Sequence, residues 1–185
     1  GRVYVGKGKI FIEGNGRIDF LSPQSSLYIG VYHTVAQHTT LTLMRNARMI
    51  VGSNVMIHRG AKIVVHEGGE LQIGENTYIN ELARVHCKIR IVIGKNCAIA
   101  WNTNILDTDL HYIYDESGKQ MNAEKDIHIG NDVWIGANST ILKGTYIEDN
   151  CIIAAHSIAK GELHSNYIYG GNPIKQLKPF TYWQA

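Results

Sequence analysis

The residue of this 185-residue chain most able to do chemistry is a histidine set in an acidic, polar stretch. His111 lies in LDTDLHYIYDESGKQMNAEKD, with Asp107 and Asp109 just before it. Imidazole exchanges a proton near neutral pH and so suits a general base. A neighbouring carboxylate could fix its tautomer and stabilise the imidazolium formed in a transition state, and Asp109 is the preferred partner. Two aspartates in a polar loop are more often simply solvated, and a lone loop histidine is more often a surface residue than a base. His33 and His38 are five apart, a spacing seen in metal sites, but they fall in an irregular part of the chain. His58, His66, His86, His128, His156 and His164 are scattered. The three cysteines, Cys87, Cys97 and Cys151, form an odd count at unrelated spacings, which suits a reducing compartment and predicts a cytoplasmic location.

What must position His111 is a repeat. Aliphatic residues recur every sixth position at Ile129, Ile135, Ile141, Ile147 and Ile153, and on to Ala159. Shorter ladders run through Val51, Ile57 and Ile63, through Ile73, Ile79, Val85 and Ile91, and through Ile93, Ile99 and Ile105. A helix needs apolar spacings of three and four and an amphipathic strand alternates in twos, so a sustained six means one short strand plus one turn. Glycine follows the aliphatic residue in IGENTY, IGKNCA, IGNDVW and IGANST, where it is expected to permit the tight turn. A small or β-branched residue sits four places after it, at Thr77, Cys97, Val133, Ser139, Thr145, Cys151 and Ser157, and is expected to let coils stack closely. Two cysteines are thereby packing residues, and Cys87 has no base beside it in the sequence.

The pattern predicts an all-β solenoid, a parallel β-helix forming one domain. Residues 1–50 are expected to be irregular coils and 51–168 regular ones. An extruded loop is expected over 106–126, where the ladder stops, and a short C-terminal cap over 169–185 after a Gly-Gly-Asn-Pro turn, as a short helix or extended tail. The composition, 44% hydrophobic and 18% charged with a formal charge of +2, is that of an ordinary globular protein. Lysines and arginines are dispersed, so nucleic acid is not an expected partner. With no run of eighteen apolar residues and no signal-peptide layout, membrane insertion is not expected. The chain opens on Gly1 without a methionine, which leaves room for upstream residues. The NST at Asn138 lies within the repeat and is set aside as a glycosylation site.

The motifs IGKNCAIAWNTNILDTDLHYI, DIHIGNDVWIGANSTILKGTYI and IYGGNPIKQL, in that order, resemble those of the hexapeptide-repeat acyltransferases. The resemblance is closest to the bacterial capsular and cell-surface polysaccharide O-acetyltransferases, looser to galactoside and maltose acetyltransferases, and spans about residues 51–183. It implies a left-handed coil of triangular section with three hexads per turn, and a homotrimer with acetyl-CoA in the groove between subunits. It implies direct transfer of acetyl to a hydroxyl of a sugar or polysaccharide, with His111 as the base and no metal. Asn80 and Asp109 become candidate substrate-binding residues, Asn80 aligning with an asparagine that meets the acceptor sugar, although a plain turn residue is an equal reading of it. Trp134 matches a position lining the pantetheine channel or the acceptor pocket. Ala137 and Ala155 match places whose backbone amides hold the pantetheine arm. Lys175 matches a basic residue at the coenzyme phosphates, as does Lys160, except that the usual lysine falls where this chain has Gly161. A sugar N-acetyltransferase is the near alternative. A γ-type carbonic anhydrase would need zinc-binding histidines, two of them five apart within the regular coils, and that pair is missing there. A non-catalytic polysaccharide-binding solenoid would not need the intact loop and its histidine.

Overall fold

The computed structural model describes residues 1–5, 10–31 and 38–184. Among them every regular element is a strand, and the strands form three sheets of nine, seven and seven, parallel except for one antiparallel pair at the C-terminal end. We call the sheets A, B and C in the order in which each coil crosses them. One coil runs through Tyr78–Ile79 in sheet A, Arg84–Cys87 in sheet B and Arg90–Ile93 in sheet C, then returns to sheet A at Ala98–Ile99. This is the left-handed parallel β-helix that the resemblance implies.

The hexad builds this coil because its aliphatic residue always faces inward. Ile79, Ile99, Ile135 and Ile153 stand directly over one another in sheet A, the last two eighteen residues apart, as three hexads per coil require. Val85, Ile105, Ile141 and Ala159 do the same in sheet B, and Ile93, Ile129 and Ile147 in sheet C. All of these side chains are fully buried. Each isoleucine or valine among them contributes about 1.5–3 kcal/mol by leaving water. The small residues fill the corners, where their polar atoms bond the next coil: Thr77 Oγ1 donates to Gly94 O at 2.7 Å and Cys97 Sγ to Gly130 O at 3.1 Å. Burial pushes the Cys97 thiol up to about 12 and the Cys151 thiol up to about 11, so both stay protonated and inert.

The glycines act differently from the sequence expectation. Gly74, Gly94, Gly130 and Gly136 do not have the left-handed backbone of a tight turn; that conformation falls two places later, on Asn76, Asn96, Asp132 and Asn138. Eight of the twelve non-glycine left-handed residues described are asparagines, which tolerate it because the short amide bonds locally. Glycine is needed for close approach. A Cβ on Gly94 would lie 2.4 Å from Gly130 O, and one on Gly136 would lie 2.5 Å from Ala155 N. The turn asparagines in turn stack into ladders. At the C–A corner Asn54 Nδ2 donates to Asn76, Asn76 to Asn96 and Asn96 to Asp132, at 3.2, 3.2 and 3.0 Å. At the A–B corner Asn102 donates to Asn138 at 2.6 Å, which engages the side chain of the NST motif within the fold.

The N-terminal strands Arg2–Val5, Ile10–Glu13 and Arg17–Phe20 start the three sheets. At the other end Lys175–Pro179 turns back antiparallel onto Tyr167–Gly170. The chain leaves the solenoid between Asn104–Leu106 of sheet B and Ile127–Ile129 of sheet C, so the long loop emerges at the B–C corner. No helix among the described residues is long and apolar enough to cross a membrane.

Candidate active site

Asp107 roots the loop. Its buried carboxylate accepts from the backbone N–H groups of Lys88, Ile89 and Arg90 on the preceding coil, at 2.6, 2.9 and 2.9 Å. Burial pushes this carboxyl up against the pull of those three donors. Three residues on, the chain turns through Leu110 in a left-handed conformation (φ +60°), which is strained for a residue other than glycine. His111 Nδ1 then lies 3.2 Å from the main-chain carbonyl of Asp109. A carbonyl only accepts, so the neutral ring carries its proton on Nδ1 and leaves the Nε2 lone pair free.

Asp109 therefore orients the imidazole through its backbone, not through the carboxylate that spacing suggested. The carboxylate is taken elsewhere: Asp109 Oδ2 accepts from Asn122 Nδ2 at 2.8 Å and from Lys143 Nζ at 2.5 Å. Lys143 beside it, then Asn122, hold the Asp109 carboxyl below the usual range. Asn122 also donates to the His111 carbonyl at 2.8 Å and accepts from Ile113 N at 2.7 Å, while Lys143 reaches the Asn122 carbonyl at 2.7 Å. Lys143 belongs to a regular coil, so one ion pair fixes the loop to the solenoid. Neither Asn122 nor Lys143 stands out in the sequence.

Asp109, Asn122, Lys125, Lys143 and Lys160 line a cavity of about 580 Å³ at the base of the loop. Gly161, which also lines it, has φ +88°, so a lysine at that position would be strained. Lys175 sits exposed on Lys175–Pro179 and lines neither this cavity nor the next.

A second cavity of about 570 Å³ opens on the outer face of sheet A. It brings together Asn80, Trp134, Ala137 and Ala155, four of the residues singled out from the sequence. It is also lined by Tyr78, Trp101 and Trp183, which sequence reasoning missed. Trp101 had a signal, since it lies two places after Ile99 as Ala137 does after Ile135 and Ala155 after Ile153. Trp183 lies beyond the repeat and had none. The N–H groups of Trp101, Ala137 and Ala155 donate to no group among the described residues, leaving a column of open amides one coil apart, about 4.8 Å.

No loop residue lines the sheet A cavity. His111 emerges at the B–C corner, and the whole width of sheet B, about 13 Å for a four-residue strand, separates that corner from the A–B corner. Four other histidines pair with rings: His58 stacks on Tyr78 and His128 on Tyr146, and the rings of His66 and His86 lie 5.8 Å apart. Burial lowers the pKa of all four. His33 lies outside the described residues. Among the described residues no three His, Cys, Asp or Glu side chains gather so as to hold a metal.

The model of the bacterial transferase hexapeptide family (six repeats) matches residues 126–161. The solved structure of the polysialic acid O-acetyltransferase OatWY superimposes with a TM-score of 0.68 at 26% identity, over 96% of this chain and 92% of that one. The chain is thus similar to hexapeptide-repeat transferases in its repeat and its fold. It is 52% identical over 58 residues to the polysialic acid O-acetyltransferase of Neisseria meningitidis, a stretch covering 31% of this chain and 27% of that enzyme. A hexapeptide-repeat acetyltransferase of Vibrio cholerae solved with acetyl-CoA matches at 26% identity and a TM-score of 0.53, over 60% of this chain and 61% of that one. The stretches matched in curated hexapeptide-repeat relatives span a quarter to three fifths of those relatives' length.

Proposed function

We propose that this chain transfers an acetyl group from acetyl-CoA to a hydroxyl of a polysaccharide, as a cytoplasmic homotrimer whose sites are shared between adjacent copies. The observation that carries the reading is the aim of His111: its Nδ1 is committed to a carbonyl and its Nε2 is left free on a loop braced against the solenoid. The likeness to polysialic acid O-acetyltransferases supports a polymeric acceptor, and polysialic acid is the first to test.

Acetyl-CoA supplies the acetyl group as a thioester. The open amides of Ala137 and Ala155 suit the amide-bearing pantetheine arm, and the surrounding apolar wall of Trp134 and Ile152 excludes water from it. Lys160 and Lys175 offer the ammonium groups for its phosphates. Asn80, which lines the cavity, orients the acceptor; His111 Nε2 takes the proton of its hydroxyl as the oxygen attacks the thioester carbon, the C–S bond breaks, and the CoA thiolate leaves with that proton returned from the imidazolium. Transfer is direct. The three cysteines are buried, and Cys87 is further disfavoured as a thiolate by its burial and by the charge of Asp107.

Thiol release from acetyl-CoA, measured with polysialic acid and a panel of other bacterial glycans, tests the proposal. His111→Ala is expected to lower transfer by about 10²–10⁴-fold while leaving the circular dichroism of the β-helix unchanged. Full activity in that variant overturns the assignment of the base.

A further inference from the structure

On the outer face of sheet A one column of side chains runs, rung by rung, through Tyr28, Met56, Tyr78, Ala98, Trp134 and Ile152. Every member is large except Ala98. The missing bulk leaves a gap between two aromatic rungs, about 10 Å from Tyr78 to Trp134 at ~4.8 Å per rung. This gap is part of the sheet A cavity.

Its flank at the C–A corner is closed by a residue that no hexad supplies. After the antiparallel strand, residues 180–184 run back along that corner, against the direction in which the solenoid grows. The Phe180 N–H donates to Asn166 O at 3.0 Å, Asn150 Nδ2 donates to Thr181 O at 2.8 Å, and Trp183 Nε1 donates to Asp132 O at 2.6 Å. The strap thus climbs three successive coils and delivers the Trp183 indole beside that of Trp134, with ring centroids 6.1 Å apart and planes at 42°. Trp183 and Gln184 both line the cavity.

The lining decides which part of a substrate belongs there. Around Ala98 the side chains are those of Ala100, Ile152, Trp134 and Trp183, and the polar groups of the described lining are few: the side chains of Tyr78, Asn80 and Gln184 and the open amides of Trp101, Ala137 and Ala155 that the proposed function gives to the pantetheine arm. A sugar carries a hydroxyl on nearly every carbon and would leave those groups unpaired against such walls. A short hydrocarbon loses nothing there.

We infer that the gap over Ala98 is an acyl-selecting chamber, walled by Tyr78, Trp134 and the strap-borne Trp183, which admits the acyl group of a short-chain acyl-CoA and turns away longer ones. This rests on the acetyl-CoA reading above and adds to it the selection of the donor by acyl length. Trp183 is a specificity residue and has no part in proton transfer.

Calorimetric binding of free CoA, acetyl-CoA and butyryl-CoA to the full chain and to two variants tests it. A hydrophobic wall discriminates by about tenfold or more per methylene, so the parent chain is expected to prefer acetyl-CoA to butyryl-CoA by at least that factor. In Trp183→Ala the preference is expected to shrink at least fivefold, chiefly through tighter butyryl-CoA. Ala98→Val, which adds bulk on an outward strand position suited to a β-branched residue, is expected to weaken acetyl-CoA without weakening free CoA. An unchanged acetyl-to-butyryl ratio in Trp183→Ala, or an equal loss of all three ligands in Ala98→Val, overturns the chamber alone. A parent chain that binds no CoA species overturns the transferase reading and the chamber with it.

Discussion

His111 is aimed by a carbonyl two residues back, so its tautomer is set by the local chain and survives changes in nearby charge. What charge does control is the loop that carries it. The Asp109 carboxyl is held low mainly by Lys143, so the ion pair is at full strength above the ordinary carboxyl value of 3.8 and is lost as pH falls through the lowered one. Hydrogen exchange over residues 110–122 is therefore expected to stay slow through mildly acid pH and to rise below about pH 4. In Asp109→Asn it is expected to be several-fold faster already at pH 7, because the charge is gone at every pH. Equal protection in variant and parent would show that the loop is braced without this pair. The motif around His111 was legible in the sequence because its residues are consecutive. The true partner of Asp109 was not, because Lys143 arrives thirty-four residues later and only the coil geometry brings it back.

At the scale of the element, the hexad made the strands, their inward faces and their register readable, since each inward isoleucine meets its counterpart on the next coil. It misdirected the reading of glycine. Turn conformation and close approach both favour glycine, and only the stacked coils separate them, giving the first to asparagine and the second to Gly94 and its equivalents. Gly94→Ala is accordingly expected to lose about 1–3 kcal/mol in urea unfolding, because the facing backbone of Gly130 has no room to yield. Gly118→Ala, with φ +80° and open space around a Cβ, is expected to cost about 1–2 kcal/mol from backbone strain and to leave the solenoid untouched. The C-terminal strap was not legible at all: it obeys no period, and its docking groups are the Asn150 amide and two main-chain carbonyls on separate coils.

For the whole molecule, the decisive fact is that one copy presents His111 at the B–C corner and its apolar cavity on sheet A, with sheet B between them. A single chain would hold the two halves of the proposed site apart, whereas neighbours around a threefold axis can join them. Trimers co-refolded from equal amounts of His111→Ala and Trp134→Ala chains are therefore expected to regain about a quarter of the parental sites, since random mixing pairs an intact loop with an intact cavity at that frequency. If the mixture is as inactive as either variant alone, each site is built within one copy.

The amide ladder at the C–A corner has a further consequence for the molecule as an electrical object. Asn54, Asn76 and Asn96 all donate in the same sense, and the row stops at Asp132, whose carboxylate can only accept. A parallel sheet has little net dipole across its strands, because its N–H groups alternate in direction. The row has a head and a tail: three aligned dipoles grounded on one anion, each polarising the next. One edge of an otherwise evenly repeating prism thus carries a fixed direction along its axis, and it points to the coil where the C-terminal indole is moored.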